Sequence, residues 1–256
     1  GNYNVAVGGN SLSLMTTGTQ NVVVGYEAGQ YVTTAGSIVL IGRSAGRYAT
    51  GSQNTFVGFQ AGMGGTTSAP YSSGTGNVAV GYNALVNFTT GGDNTAVGYQ
   101  AGDAVTSGVR NTIMGMQAAT GLSTGQHNVM IGAYVGYQTT DLDGAVLIGY
   151  QAGYGGNMTS AADGTVAIGF QAMNNLTTGQ RNTGVGSGIL YTNSSDGDDN
   201  TAMGYQAGFY NYKGSNNTHF GAYAGHYATG SQNTFVGKDA GKGGQTSAPF
   251  SSGEKN

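Results

Sequence analysis

The nonapeptide Asn-Thr-Ala-Val-Gly-Tyr-Gln-Ala-Gly, residues 94–102, decides the fold, because close copies of it recur along the whole 256-residue chain. The glycine equivalent to Gly98 marks each copy, and fourteen such marker glycines are found: Gly8, Gly25, Gly42, Gly58, Gly81, Gly98, Gly115, Gly132, Gly149, Gly169, Gly186, Gly204, Gly221 and Gly237. Eight of the thirteen intervals are 17 residues long, and the others are 16, 16, 18, 20 and 23. A short, nearly fixed period predicts a solenoid, in which each repeat buries its face against its neighbours.

The three residues before each marker glycine predict a short β-strand. The first strand position is Val or Thr in every copy, and the last is always Val, Ile, Met or Phe. Such residues suit a pleated strand, whereas the density of glycine argues against helix. The first and last positions share one face of the strand. We assign that face to the core of the solenoid.

The middle strand position then points away from the predicted core, yet it is apolar in every copy except the one that contains His219. A strand that is apolar on both faces is buried on both faces. We therefore expect the outer wall to pack against other copies of the chain, as a homotrimer. The candidate inter-chain residues are Leu40, Phe56, Ile113, Met130, Leu147 and Phe235.

Asparagine precedes the strand in eleven of the fourteen copies: Asn4, Asn21, Asn54, Asn77, Asn94, Asn111, Asn128, Asn182, Asn200, Asn217 and Asn233. Stacked at the strand spacing of about 4.8 Å, these side chains would form an amide ladder along the solenoid axis. The predicted fold is therefore all-β: a parallel β-solenoid of about fourteen coils of about 17 residues, with a structural asparagine ladder.

We predict one repeat array over residues 1–256, with longer loops at residues 63–76, 154–164 and 242–255. These inserts return every five coils. They are either tolerated surface loops or protrusions that serve chain contacts or Ser/Thr modification. The chain starts and stops within the repeat pattern, so we read it as a window of a longer fibre.

Composition excludes several classes of function. Charged residues make up 7% of the chain and the net charge is −3, so no basic stripe is available for nucleic acid. There is no cysteine, hence no disulfide and no Cys-ligated metal. No apolar run approaches the roughly 20 residues that span a bilayer, so we expect no membrane insertion in this segment.

The sequence contains few residue patterns that could support catalysis or metal binding. The three histidines, His127, His219 and His226, lie at no ligand spacing. The acidic clusters 141–144 and 196–199 are weak matches to calcium loops and are better explained as solvated turns. We name no catalytic, metal or cofactor-binding residue, expect no cofactor, and predict that the chain is not an enzyme.

One surface feature leaves two interpretations open. An aromatic residue follows the marker glycine in half of the copies: Tyr26, Phe59, Tyr82, Tyr99, Tyr150, Phe170 and Tyr205. Glutamine often comes next, as at Gln60, Gln100, Gln117, Gln151, Gln171 and Gln206. Such a row could stack on sugar rings, or it could form the seam between subunits.

The repeat cores of residues 77–81 and 165–169 resemble the head repeats of trimeric autotransporter adhesins. The fuller form at residues 94–102 is also similar to repeats in long fibre proteins of phages and bacteria. The resemblance covers essentially the whole chain, although the coil is longer here and the inserts are additional. It implies a left-handed parallel β-roll with three intertwined chains.

Together these features predict a non-enzymatic structural or adhesive segment of an extracellular fibre, either a phage tail fibre or a bacterial surface filament or adhesin. The expected partners are other copies of the chain and a glycan or receptor on a host surface. The alternatives are an ice-binding β-solenoid, since threonine ladders on a flat β-face can order water, and a tailspike-like protein that binds or hydrolyses glycans.

Overall fold

The computed structural model describes residues 1–65, 71–192, 197–211 and 213–244. Contacts divide the chain into two compact units, Gly1–His127 and Asn128–Asn256. As predicted, the fold is all-β: each unit contributes seven three-residue strands, and the helical content of the described residues is one short 3-10 helix, Ser160–Ala162.

In the first unit the strands are β1 Val5–Val7, β2 Val22–Val24, β3 Val39–Ile41, β4 Thr55–Val57, β5 Val78–Val80, β6 Thr95–Val97 and β7 Thr112–Met114. Each strand pairs in parallel with the strand of the next coil, so that Val78 lies beside Thr95 and Thr95 beside Thr112. Successive coils therefore stack with equivalent residues directly above one another.

The second unit repeats this arrangement. Its strands are β8 Val129–Ile131, β9 Val146–Ile148, β10 Val166–Ile168, β11 Thr183–Val185, β12 Thr201–Met203, β13 Thr218–Phe220 and β14 Thr234–Val236. They pair in sequence order, also in parallel and in register. The prediction of a parallel β-solenoid with coils of about 17 residues is confirmed.

The strand side chains point the opposite way from the prediction: the middle residue faces the interior, and the first and last residues face outward. In β2 three successive valines separate the two faces: Val22 and Val24 are 40% and 36% exposed, whereas the middle residue Val23 is fully buried. The middle position is buried in twelve of the fourteen strands, the exceptions being Ala6 and Phe235 in the two outermost strands. The prediction that the first and last positions face the core is therefore wrong.

The candidate inter-chain residues consequently lie inside the solenoid. Five have no exposed surface: Leu40, Phe56, Ile113, Met130 and Leu147. Phe235 is half-buried in β14, the last strand. Since these side chains contact the opposite wall of their own unit, they are not available to a second chain. The expectation that they form a subunit interface is a misreading of core residues.

The physical reason is a size match across the coil interior. A Cβ added to Gly136 would lie 3.0 Å from the Met130 sulfur, and one added to Gly102 would lie 2.9 Å from Cδ1 of Ile113. The residue four positions after the marker, here called the fourth position, therefore faces the middle strand position of its own coil or of the adjacent one. Large middle residues need a small residue there.

The reverse arrangement, with the large residue at the fourth position and the small one in the strand, also occurs. The fourth position carries Leu or Met in four coils, and in each of these the middle strand residue is Ala or Gly. The pairs are Ala6 with Leu12, Ala79 with Leu85, Ala167 with Met173, and Gly184 with Leu190. In two further coils both positions are small, and large side chains from adjacent coils, such as Leu85 and Ile113 around Gly102, fill the space.

The marker glycine is where the backbones of successive coils approach most closely. Gly98 has a φ of +140°, outside the range that other residues favour. A Cβ on it would collide with the carbonyl oxygen of Gly115 in the next coil. The marker position therefore requires glycine for both conformation and close approach.

The described parts of the inserts fold back into the core. Ser72, from the 63–76 insert, is buried and donates its hydroxyl to the Phe88 carbonyl at 2.7 Å. Met158, from the 154–164 insert, is fully buried. These segments thus complete their coils. Residues 66–70 and 245–255, the remainder of two inserts, lie outside the described residues.

The size match predicts strong coupling between Ala79 and Leu85. Ala79→Leu alone should destabilise the chain by about 1–3 kcal/mol, because the coil interior is overpacked. Leu85→Gly alone should cost about 2–5 kcal/mol by leaving a cavity. The double variant copies the arrangement of Leu40 with Gly46 and should recover most of the lost stability. Urea unfolding of all four proteins measures the coupling, and simple additivity of the two losses would contradict the size match.

Candidate functional site: an outward strand face beside an aromatic column

The asparagines that precede the strands hold adjacent coils together from inside. Asn94 donates its side-chain amide to Oδ1 of Asn77 at 3.1 Å and to the Gly108 carbonyl at 2.8 Å. Its backbone N–H donates to the same Oδ1 at 3.0 Å. Asn111 makes the equivalent bonds to Asn94 and to Gly125. Each amide thus satisfies buried polar groups of two coils, which is a structural role.

The structure places six members of this ladder in the first unit: Asn4, Asn21, Asn54, Asn77, Asn94 and Asn111. It places five in the second unit: Asn128, Asn182, Asn200, Asn217 and Asn233. All are buried except Asn4, which is half-buried in the first coil. Ile38, Ala145 and Thr165 take the equivalent place in the three remaining coils, where the ladder is interrupted.

The exposed surface beside the strands has the composition of a contact surface. The strand face comprises the first and last strand positions, and every one of these residues is at least partly exposed. The last position is apolar throughout, as at Ile41 and Met114, each 40% exposed, and Phe220, 53% exposed. The first position is Val or Thr. The last positions therefore form an unbroken apolar row in each unit, and a row of Val and Thr runs beside it.

Next to the strand face runs the aromatic column, the residues directly after the marker glycines. In the first unit Phe59, Tyr82 and Tyr99 stack, with ring centroids 5.1 and 5.2 Å apart and planes within 8° and 10° of parallel. In the second unit Tyr150 stacks on Phe170 at 5.6 Å. Because Tyr82, Tyr99, Tyr150 and Phe170 are about half exposed, they are available to a ligand or another chain.

Beside the rings lies the glutamine column, one residue further along. Gln117 donates Nε2 to Oε1 of Gln100 at 2.9 Å, and Gln171 donates to Gln151 at 2.8 Å. In both pairs the amide of the later coil donates to the oxygen of the preceding one. This polar row beside stacked rings was visible in the sequence only as a repeated dipeptide.

The histidines and carboxylates form no reactive cluster. Within the described ranges, no group of three His, Cys, Asp or Glu residues could hold a metal ion. Asp199 pairs with Arg181 at 2.7 Å, and the hydrogen bond from that guanidinium lowers the pKa of the Asp199 carboxyl. Asp141 accepts from the backbone N–H of Ser160 at 3.2 Å. Asp196 lies outside the described residues.

His219 is a core residue. It occupies the middle position of β13, is 1% exposed, and stacks on Phe235 with ring centroids 5.5 Å apart. Neither ring nitrogen has a hydrogen-bond partner among the described residues. Desolvation lowers the pKa of this imidazole to about 4, so the ring is neutral at pH 7.

Sequence reasoning missed the strand face as a surface. The available signal was the exchange of Val and Thr at the first strand position, since a threonine hydroxyl without a partner is tolerated in water and costly in a core.

Comparison with known proteins finds no matching family model, no similar curated protein and no similar solved structure. In the part of the chain that the structure describes, no helix has the length and apolar character to cross a membrane.

The ladder predicts a large cost for Asn94→Ala. The substitution leaves the backbone N–H of Asn111 and the Gly108 carbonyl buried without partners, at about 1–3 kcal/mol for each group. We expect a loss of about 2–4 kcal/mol in unfolding free energy and faster hydrogen exchange at the Asn111 amide. Asn87→Ala is the control, because that amide makes one exposed hydrogen bond, to the Asp103 carbonyl. Equal effects of the two substitutions would contradict the ladder's role.

His219 predicts a loss of stability in mild acid. Its pKa is about 4 in the folded chain and 6.5 when solvated, so the unfolded chain binds more protons between these values. The unfolding free energy should therefore fall as the pH drops from about 6.5 to about 4, by up to about 3 kcal/mol. His219→Leu should remove that part of the pH dependence, whereas His127→Gln, at an exposed site, should not. Parallel pH profiles for wild type and His219→Leu would contradict the prediction.

Proposed function

We propose that the chain is a non-enzymatic, structural and adhesive segment of an extracellular fibre, either a phage tail fibre or a bacterial surface filament or adhesin. In this proposal copies of the chain associate side by side through the strand face as a homotrimer, and the remaining surface contacts the host. The observation that carries the proposal is the exposed strand face, whose apolar row of last positions continues through all seven coils of each unit.

The dimensions of the strand face support association. Seven strands spaced by about 4.8 Å and three residues wide give a stripe on the order of 300 Å² in each unit. Contiguous apolar patches of this size on soluble proteins often mark an interaction site. A regular stripe fits a second copy of itself, because equivalent residues recur at the same spacing on both partners.

The interior suits a mechanical role. Within each unit, backbone hydrogen bonds join successive coils, the asparagine ladder joins those that carry the asparagine, and every strand is three residues long. The resemblance of the repeats to adhesin heads and to long fibre proteins supports the same proposal. The sequence analysis expected the trimer contact at the middle strand residues. Because these are buried, the proposed contact is now the strand face.

A second candidate, an ice-binding solenoid, is favoured by one observation. Four successive coils of the second unit carry threonine at the first strand position, and these residues pair in register and face outward: Thr183, Thr201, Thr218 and Thr234. A spaced row of hydroxyls and methyls can order water. The companion row contains Met203 and Phe220, which make the surface uneven. Thermal hysteresis with faceted ice crystals would favour this candidate.

Association through the strand face predicts that charges on it separate the subunits. We expect wild type to sediment as a trimer. The triple variant Val80→Lys, Val97→Lys, Met114→Lys should sediment as a monomer, because three ammonium groups would be buried in the contact. Analytical ultracentrifugation gives the mass, and circular dichroism checks that the fold is retained.

The matched control places three lysines in the same three coils, nine residues after each marker glycine: Thr90→Lys, Ser107→Lys and Thr124→Lys. These residues are exposed on the closing arc of the coil. The control should remain a trimer. A wild-type monomer, or dissociation of the control to the same extent, would contradict association through the strand face.

A further inference from the structure

The aromatic column of the second unit is interrupted by one coil between two of its rings. Phe170 and Tyr205 belong to coils that flank a coil whose residue at this position is Ser187. At a spacing of about 4.8 Å per coil, the two rings lie about 10 Å apart along the axis, with one empty level between them. Phe170 is 52% exposed and Tyr205 is 48% exposed. Each ring therefore offers toward the gap a face that a neighbouring ring would cover, as Tyr150 and Phe170 cover each other.

The gap opens into a cleft of about 320 Å³. Its inner wall is formed by Tyr191 and Phe209, which stack with ring centroids 5.0 Å apart and planes within 6° of parallel. The volume lies at the small end of the range for ligand pockets, about 300–1,000 Å³. None of the described residues that line the cleft is charged. Its chemistry is aromatic, amide and hydroxyl, which suits a neutral ligand.

The same coil also lacks its glutamine. Gly188 stands in the glutamine column with a φ of +60°, but Gln171 and Gln206 adopt the same left-handed backbone at +52° and +51°. The backbone therefore does not require glycine in this column. A Cβ at Gly188 would lie 3.3 Å from Cγ of Gln206 and 3.5 Å from Cε2 of Phe209. The glycine thus keeps the floor of the cleft open.

Because the amide is missing, one side of the gap offers a hydrogen-bond acceptor and the other side offers a donor. Gln171 uses Nε2 to donate to Gln151, and its Oε1 has no protein partner among the described residues. The side-chain amide of Gln206 likewise has no partner in the described part of the chain. In an unbroken column the absent glutamine would bond both. A sugar carries adjacent hydroxyls that can accept from one amide and donate to the other.

We propose that this cleft is a binding site for a neutral saccharide, with one sugar ring held between Phe170 and Tyr205. The C–H faces of the sugar stack on the two rings, and its hydroxyls bond to Oε1 of Gln171 and Nε2 of Gln206. Tyr191 and Phe209 form the wall behind it. This inference deepens the proposed adhesive function, on which it rests, by giving the fibre a point of contact for a host glycan.

The test measures binding of neutral methyl glycosides of glucose, galactose and mannose by saturation-transfer NMR and calorimetry. The wild-type chain should bind at least one of them. Ser187→Tyr restores the missing ring, and Gly188→Gln restores the missing amide; each should weaken binding by about tenfold or more. Both substitutions reproduce residues that the other coils carry, so the coil should fold. Thermal unfolding verifies this for each variant.

Met116→Tyr is the matched control, because it adds a ring to the aromatic column of the first unit at a residue that does not line the cleft, and it should leave binding unchanged. The proposal is overturned if no glycoside binds, or if binding survives Ser187→Tyr and Gly188→Gln. It is also overturned if p-cresol, which has no adjacent hydroxyls, competes as well as the best glycoside. Sedimentation of the same samples separates the two proposals: a trimer without saccharide binding contradicts only the cleft, and a monomer that binds saccharide contradicts only the assembly.

Discussion

The interior of each coil is too narrow for two large side chains to face one another, and this steric constraint organises the chain. A large residue at the middle of the strand is accommodated by glycine at the fourth position, as with Met130 and Gly136. A large residue at the fourth position, such as Leu85, is accompanied by alanine in the strand. The asparagine ladder then satisfies the polar groups that the narrow interior would otherwise leave buried and unpaired.

The surface follows from this interior. Because the middle residue points inward, the first and last strand residues must point outward, and their apolar character becomes a surface property. The marker glycine brings successive backbones so close that the next residue projects at regular intervals and stacks on its neighbours. The strand face and the aromatic column are therefore outward consequences of the same packing. Association and ligand binding would use adjacent surfaces of one repeat.

Much of the fold was predictable from sequence. The spacing of the marker glycines gave the coil length, and the triplets before them gave the strands. Which face of each strand points into the core was not predictable from alternation alone, because valine occupies both faces of β2. The informative signal was the pairing of a small middle strand residue with a large fourth-position residue, as in Ala79 with Leu85 and in three other coils. The cleft could not be anticipated, since Ser187 and Gly188 become unusual only once the columns to which they belong are known.

The most direct test of which strand residues point inward uses β2, because its three residues are identical and the chain has no native cysteine. Val22→Cys, Val23→Cys and Val24→Cys are nearly isosteric substitutions, and the reactivity of each thiol toward a maleimide reports its exposure. The structure predicts that the cysteines at positions 22 and 24 react, with the reagent or with the same thiol of an associated copy. The cysteine at position 23 should stay unreactive until the chain is unfolded. Rapid labelling at position 23 with protection at positions 22 and 24 would contradict the account.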